Sequence, residues 1–149
     1  MPVADAPARF EQARVARLAT VRADGRPHVA PIVFAVEGDR VFSIVDAKPK
    51  RSPEMLRLRN IAGEPRVSLL VDQYDEDWRA LWWVRADGIA TVVESGPDRD
   101  LAIRLLFDKY RQYDEWSTPI GAARIVTRVM PCLPASRRKE ITRTSPFSS

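Results

Sequence analysis

Short apolar runs rich in β-branched residues recur along the chain, separated by small turn-forming residues. Such runs are typical of β-strands. The turn signals between them are Ala23-Asp24-Gly25, Glu37-Gly38-Asp39 and Ala86-Asp87-Gly88, and the two Asp-Gly pairs are characteristic of tight hairpins. The pattern therefore predicts strands over residues 15–21, 28–36, 41–45, 67–71, 81–85, 89–93 and 123–130.

Three segments have helical rather than strand-like patterns, over residues 5–14, 53–60 and 97–110. The middle helix is expected to begin with Ser52 as N-cap and Pro53 in its first position. Its apolar residues Met55, Leu58 and Ile61 recur every three positions, which predicts one narrow buried stripe. Arg57 and Asn60 have the same spacing and are expected on another face.

The order of these elements favours a mainly β fold. The first three strands follow one another through short turns, which leaves no room for the crossovers that parallel strands need. We therefore predict an antiparallel meander that continues into a small β-barrel with peripheral helices. Residues 1–133 form the expected domain, and residues 134–149 are expected to be a basic, flexible tail because they are rich in Pro, Ser and Arg and lack periodicity.

Composition and charge exclude several classes of protein. The chain has 149 residues, of which 45% are hydrophobic and 30% charged, as expected for one globular domain. No apolar run reaches the roughly 20 residues of a membrane helix, and the N-terminus lacks a signal-peptide pattern, so we expect a cytoplasmic protein that does not bind membranes. The net charge is +4, but four of the cations and only Glu140 lie in residues 131–149. A charge concentrated in the tail argues against nucleic-acid binding.

The sequence offers no catalytic or metal-binding set. His28 is the only histidine and Cys132 the only cysteine, so a catalytic triad would have to use His28, and one His with one Cys cannot build a zinc site. A single histidine in a strand more commonly has a structural role. The carboxylates of residues 72–77 do not match a calcium loop, and a solvated acidic loop is the simpler interpretation.

The strongest chemical signal is the basic segment of residues 46–66. Six cations stand there against three acids, directly after a predicted strand and around the start of a predicted helix. One interpretation is a solvated cationic helix face. The other is a phosphate site, because a helix N-terminus with adjacent Lys and Arg side chains binds anions. The candidate residues are Lys48, Lys50, Arg51, Arg57 and Asn60.

The locations of the tryptophan side chains must also be explained. Trp82 and Trp83 are adjacent in a predicted strand, so their side chains point to opposite faces. One of them is expected to cover a subunit interface or a planar ligand. The alternative is a partly exposed tryptophan under the tail.

The segments VARLATVRADGRPHVAPIVFAVEGDRVFSIVDAKPKR, RLRNI, EPRVSLLVD and WWVRADG follow one another within about residues 10–130. In this order the chain resembles the pyridoxamine-5′-phosphate-oxidase-like split-barrel superfamily. More narrowly, the DAKPKR, RLRNI and LWWVRADG elements are similar to the actinobacterial branch that binds the deazaflavin coenzyme F420. The end of the chain departs from that pattern, because Ile125-Val126-Thr127-Arg128 is followed by an unrelated tail.

This resemblance implies a split β-barrel of the FMN-binding type and a homodimer with the cofactor at the subunit interface. It implies F420 as cofactor, with FMN as the alternative, since a tail of glutamates suits the surplus of cations. The implied ring-site residues are His28, Pro31, Ile32, Val33, Ser43, Ile44 and Val45. The implied phosphate and glutamate contacts are Lys48, Lys50, Arg51, Arg57 and Asn60, and Trp78 or Trp82 is expected from the other subunit.

The expected function is an F420H2-dependent oxidoreductase that acts on a small organic substrate. In such an enzyme the cofactor supplies the reactive atoms, so the lack of a triad or metal set is consistent with the class. The alternatives are a flavin or deazaflavin carrier without turnover and an FMN-dependent oxidase.

Overall fold

The computed structural model describes residues 6–46, 53–111 and 124–131. The expected cofactor residues Lys48, Lys50 and Arg51 lie outside these ranges. So do the expected N-cap Ser52, Trp116, Cys132 and the tail of residues 134–149.

The described residues form three α-helices, one short 3₁₀ helix and seven β-strands. The helices are α1 (Ala6–Gln12), α2 (Pro53–Gly63) and α3 (Pro97–Lys109), and the 3₁₀ helix is Trp78–Ala80. The strands are β1 (Ala16–Val21), β2 (Pro27–Ile32), β3 (Ala35–Glu37), β4 (Arg40–Asp46), β5 (Arg66–Gln73), β6 (Trp82–Val93) and β7 (Arg124–Pro131). The strand order is β2-β1-β5-β6-β7-β4-β3, and every neighbouring pair is antiparallel. The predicted mainly β architecture is confirmed.

The sheet curls so that its two edge strands approach each other at one end. β2 and β3 lie at opposite ends of the strand order, yet only Val33 and Phe34 separate them in the chain. The adjoining ends of these edges must therefore meet, which gives a barrel that is split between β2 and β3. The prediction of one strand over residues 28–36 was wrong in this respect, because its two halves pair with different neighbours, β1 and β4.

Tyr110, which follows α3, explains how the chain tolerates this break. The Phe34 N–H donates to the Tyr110 hydroxyl at 3.2 Å. That hydroxyl lies 2.9 Å from the carbonyl oxygen of Arg14 and 3.1 Å from that of Phe34, to either of which it can donate. The Phe34 N–H, which has no strand partner at the break, is thus satisfied by a side chain, as buried polar groups require.

The second predicted Asp-Gly turn does not exist, because β6 runs without interruption through Ala86, Asp87 and Gly88. Gly88 pairs with Val67 of β5 on one side and with Pro131 of β7 on the other. A Cβ atom at Gly88 would lie 2.6 Å from the carbonyl oxygen of Met130. The glycine is needed for the close approach of β7 and not for a turn.

Two apolar clusters hold the barrel together. The larger one fills the interior, where α1 packs Phe10 against Phe34 at a ring-centroid distance of 5.2 Å. The smaller one lies outside the barrel, where Ala102 and Leu106 of α3 cover Phe42 of β4. As a result β4 is buried on both faces. No helix within the described ranges is long and apolar enough to cross a membrane.

Candidate functional site

Helix α2 packs two polar side chains against the barrel. Arg57 is 7% exposed and Asn60 is 4% exposed, whereas Arg59 between them is exposed to solvent. Arg57 Nη2 donates to the carbonyl oxygen of Ile44 in β4 at 3.5 Å, and Asn60 Nδ2 donates to Thr20 Oγ1 in β1 at 3.0 Å. The helix therefore lies against strands on both sides of the split. Its inner face is buried, so the interpretation of a solvated cationic helix face does not apply to Arg57 and Asn60.

Thr20 connects the helix to the only histidine. Thr20 is 2% exposed and stands directly opposite His28 in the register of β1 and β2. Directly opposite residues of an antiparallel pair share a face, so both side chains belong to the inner surface of the barrel. Among the described residues, the buried His28 Nδ1 has no hydrogen-bond partner.

The predicted residues of β4 lie beside the Arg57 contact. Ser43 is 3% exposed and stands opposite Thr127 of β7, which is 1% exposed. The Ser43 hydroxyl is buried and finds no hydrogen-bond partner within the part of the chain described. Ile44 carries the carbonyl that accepts from Arg57, and Val45 is fully buried. This stretch therefore presents one polar group within an apolar strand.

The predicted residues of β2 differ in exposure. Pro31 is exposed on an edge strand, the position in a sheet where proline is tolerated. Ile32 is 6% exposed and belongs to the interior cluster, and Val33 is half-buried at the break before β3. These three residues follow His28 along the open edge of the sheet.

The two tryptophans are placed differently. Trp82 is 8% exposed, packs in the interior cluster and lies under the guanidinium of Arg9 in α1 at 5.2 Å. Through the registers of β5, Gly88 of β6 is level with Thr20, which stands opposite His28. Trp82 is six residues from Gly88 along β6, so it lies about 20 Å from the His28 end of the barrel. Trp78 is 50% exposed in the 3₁₀ helix. Of the two, Trp78 is the residue with surface available for a ligand or a second subunit.

A cleft of about 820 Å³, which the sequence did not predict, adjoins the buried Asn60 of α2. It lies between the β1–β2 turn and α2, and Asn60 is one of its lining residues together with Arg22, Asp24, Arg59 and Glu64. The sequence identifies Arg22 only as a cationic residue next to a predicted hairpin turn. Thr20 has no signal beyond its inward position in the alternation, since its partner Asn60 is 40 residues away.

Both acids of the cleft are held by arginines two residues further along the chain. Asp24 Oδ2 lies 2.8 Å from Arg26 Nε, and backbone and side-chain hydrogen bonds from Arg26 lower the pKa of Asp24, with a smaller contribution from Arg22. Glu64 Oε1 lies 2.7 Å from Arg66 Nε, and the hydrogen bonds of Arg66 lower the pKa of Glu64 to about 2. Both carboxylates are therefore ionised at neutral pH and compensated locally.

The sequence matches the profile of the pyridoxamine 5′-phosphate oxidase family over residues 4–131. The match covers most of the chain, and it coincides with an antiparallel barrel that is split between its edge strands β2 and β3. The protein belongs to this family. None of the curated proteins matches the sequence significantly.

Solved structures share the fold at low sequence identity. The heme storage protein HutZ of Vibrio cholerae is 20% identical with a TM-score of 0.68, covering 90% of this chain and 93% of its own. A FAD-binding protein of Mesorhizobium loti is 21% identical with a TM-score of 0.65, covering 88% and 90% respectively. A structure named F420 reductase is 23% identical with a TM-score of 0.60, covering 85% and 92%. At these identities the similarity establishes the fold and not the ligand.

Proposed function

We propose that the protein is an F420H2-dependent oxidoreductase that transfers a hydride between the deazaflavin coenzyme F420 and a small organic substrate. One observation carries the proposal: two polar side chains of α2 are buried beside the predicted ring site. Arg57 lies against β4, which bears Ser43, and Asn60 bonds Thr20 of β1, which stands opposite His28 of β2. The family membership and the similarity to an F420 reductase support the same conclusion.

The residues present suit such a cofactor. The buried His28 Nδ1 and Ser43 Oγ, which lack partners among the described residues, can hydrogen-bond a heterocycle at the open edge of β2. Arg57 and Asn60 supply a guanidinium and an amide for a phosphate group, and Lys48, Lys50 and Arg51 precede them in the chain. When bound, the cofactor supplies the hydride chemistry, while the protein supplies binding and orientation.

A binding protein without turnover is the second candidate. It is favoured by the shared fold with a heme storage protein, because the same barrel serves storage there. Within the described residues, no three His, Cys, Asp or Glu side chains come together as a metal site. Heme would then rely on His28 alone among histidines.

The test is a titration of the purified protein with F420, FMN and heme, followed by assays for oxidation of F420H2 with a panel of unsaturated or oxidised substrates. We expect binding of F420 in preference to FMN and heme, and turnover with at least one substrate. Tight binding of FMN or heme without F420 would refute the proposal. Binding of F420 without any turnover would favour the carrier.

The substitution Thr20→Val tests the site itself. It preserves shape but removes the hydroxyl that positions Asn60, so we expect F420 affinity to fall about tenfold at a loss of about 1 kcal/mol in stability. Thr91→Val is the matched control, because Thr91 is exposed on the outer face of β6. Equal F420 affinities in both variants would show that Asn60 does not contact the cofactor.

We also propose a homodimer whose interface contributes to the site. Ile89 and Met130 are directly paired on the outer face of the sheet and are 39% and 40% exposed. Val29, on the edge strand β2, is 62% exposed. Exposed apolar residues on the surface of one sheet are typical of a protein contact. Sedimentation at micromolar concentration should give a dimer, and Val29→Asp should weaken it. A monomeric wild type with full F420 affinity would contradict this arrangement.

A further inference from the structure

Lys109, the last residue of α3, holds its amine between α1 and the break in the barrel. The Nζ atom donates to the backbone carbonyl of Glu11 in α1 at 2.8 Å and lies 4.0 Å from the ring centroid of Phe34. Within residues 6–46, 53–111 and 124–131, this amine forms no ion pair with a carboxylate. Its positive charge is therefore compensated only by a neutral carbonyl oxygen and by aromatic rings.

The surroundings of Lys109 disfavour its protonated form. Burial lowers the pKa of Lys109 to about 8, Arg14 contributes in the same direction, and Glu11 opposes them with a smaller effect. The other acid at this surface is the exposed Asp108, and β3 contributes no charged side chain. At pH 8 about half of the molecules thus carry a neutral amine, whereas an ordinary lysine with a pKa near 10.4 is neutral in under about 1%.

A cleft of about 590 Å³ between α1, β3 and α3 gives access to this amine. Its volume lies in the range of small-molecule sites, roughly 300–1,000 Å³, and it shares no lining residue with the cleft beside α2. Arg14 also lines it. The Arg14 guanidinium lies 4.5 Å from the ring centroid of Tyr110, and the Lys109 amine lies 5.3 Å from the same centroid. A nucleophilic amine and a guanidinium therefore adjoin one cleft.

The guanidinium indicates which kind of reagent the cleft suits. Among the described residues, Arg14 forms no ion pair, so its N–H groups can bind an added anion. Guanidinium groups bind phosphate through paired, charge-assisted hydrogen bonds. A small donor with a phosphate at one end and an acyl group at the other would bind Arg14 and present its acyl carbon to the amine.

We propose that Lys109 is a modification site at which a small acyl phosphate acylates the amine, with Arg14 binding the phosphate of the donor. The lone pair of Nζ attacks the acyl carbon, the bond from that carbon to the phosphate oxygen breaks, and phosphate leaves with the bonding electron pair. The nitrogen loses one proton to solvent. The products are an amide at Nζ and inorganic phosphate, so the reaction needs no oxidant or further reactant. The assignment does not depend on which cofactor the protein binds.

Acylation would alter the contacts at the break between β2 and β3. It converts the ammonium group into a neutral amide and so removes the charge from the face of the Phe34 ring. Phe34 is one of the two residues that separate these edge strands in the chain. The modification therefore acts where the barrel is split.

The first experiment measures the rate of acetylation at Lys109 by peptide mass spectrometry, with acetyl phosphate added to the intact protein between pH 6 and 10. A synthetic peptide of residues 103–111 is the reference, because its lysine lacks the contacts with α1 and β3. At pH 8 we expect Lys109 in the protein to react at least about fivefold faster than the peptide lysine. Its rate should level off above about pH 9, while that of the peptide continues to rise. An equal or lower rate in the protein, or parallel pH profiles, would refute the assignment.

The second experiment tests Arg14 with the variant Arg14→Gln and two donors, acetyl phosphate and the uncharged p-nitrophenyl acetate. Rates are compared at about pH 10, where most of the amine is neutral in both proteins, so that the effect of Arg14 on the pKa of Lys109 does not enter. We expect acetylation by acetyl phosphate to slow at least about fivefold and acetylation by the uncharged donor to change less than about twofold.

The matched control is Arg104→Gln, which removes an exposed arginine of α3 and should leave both rates unchanged. Equal losses with the two donors in Arg14→Gln, or an equal loss with acetyl phosphate in Arg104→Gln, would overturn the assignment of the phosphate to Arg14.

Discussion

The sequence Val-Arg-Ala-Asp-Gly occurs twice in the chain, and the two copies have different structures. Residues 21–25 end β1 and form the hairpin turn to β2, whereas residues 84–88 lie in the middle of β6. Gly25 has a φ of 85° and open space around it, but Gly88 has no positive φ and lies against the backbone of Met130. Identical pentapeptides therefore use glycine for opposite reasons: conformational freedom in one copy and missing bulk in the other.

The aspartates differ in the same way. The Asp24 carboxylate accepts two hydrogen bonds from Arg26, two residues on. One comes from the Arg26 backbone N–H at 3.1 Å and the other from the Arg26 guanidinium at 2.8 Å. Asp87 instead accepts from the hydroxyl of Ser68 on the neighbouring strand at 2.7 Å and pairs with Arg85. The residues after each copy account for the difference, because Arg-Pro favours a turn and an edge strand, whereas Ile-Ala-Thr-Val-Val continues an apolar strand.

Transferring the proline of the first copy to the second should have the largest effect. Ala90 stands in the same position after its glycine as Pro27 does, and its N–H donates to the Pro65 carbonyl at 2.8 Å. Ala90→Pro removes this bond from a central strand, so we expect a loss of at least about 3 kcal/mol in unfolding free energy. The counterpart Pro27→Ala, on an edge strand, should cost less than about 1 kcal/mol. Urea denaturation measures both, and similar losses would mean that the two positions do not differ in their need for a backbone N–H.

Substituting the two glycines should have the next largest effect. In Gly88→Ala the new methyl group meets the Met130 carbonyl, which requires a strand to move and should cost about 1–3 kcal/mol. Gly25→Ala meets no neighbour and pays only for its left-handed backbone, about 1 kcal/mol. Thermal or urea unfolding of both variants tests the order, and a greater loss in Gly25→Ala would show that turn conformation outweighs strand packing.

The aspartates should give the smallest difference. Asp87→Ala leaves the half-buried Ser68 hydroxyl without its acceptor, and we expect a loss of about 1–2 kcal/mol. Asp24→Ala removes an exposed local contact and should cost about 0.5 kcal/mol or less. The double variant Asp87→Ala with Ser68→Ala sharpens the test, because removing both partners should recover part of the loss. No recovery would mean that Ser68 is not the reason for the cost.

Local patterns in the sequence predicted only part of the fold. Strand content, antiparallel pairing and the three helices follow from such patterns and are confirmed. The predicted meander of the first three strands was wrong, because β2 and β3 lie at opposite ends of the strand order. The break at Val33 and Phe34 and the continuity of β6 depend on contacts with Tyr110 and with β7, which are remote in sequence. A turn signal is a local preference, and tertiary pairing overrides it.

The candidate site, like the fold, could be predicted only in part from local patterns in the sequence. The spacing of Arg57 and Asn60 identified two neighbouring polar residues on α2, but not that they face the barrel. Thr20 and Arg22 were missed since a threonine within a strand and an arginine before a turn are ordinary. Arg22 in particular has the same preceding and following residues as Arg85, and it is the position of α2 beside Arg22 that distinguishes them. Whether these residues bind F420 stays a prediction.

The hydroxyl of Tyr110 has a consequence for how the chain folds. Its hydrogen bonds link Tyr110 to Phe34, which lies 76 positions earlier in the chain, and to Arg14, which lies 96 positions earlier. Contacts at such separation form late, because the intervening chain must be ordered before they are gained. We therefore expect the hairpins to form first and the barrel to close only when α3 docks and β7 pairs with β6 and β4. A ribosome-bound chain that ends before residue 97 lacks β7, so β6 and β4 would each expose an unpaired edge, a form prone to aggregation until synthesis continues.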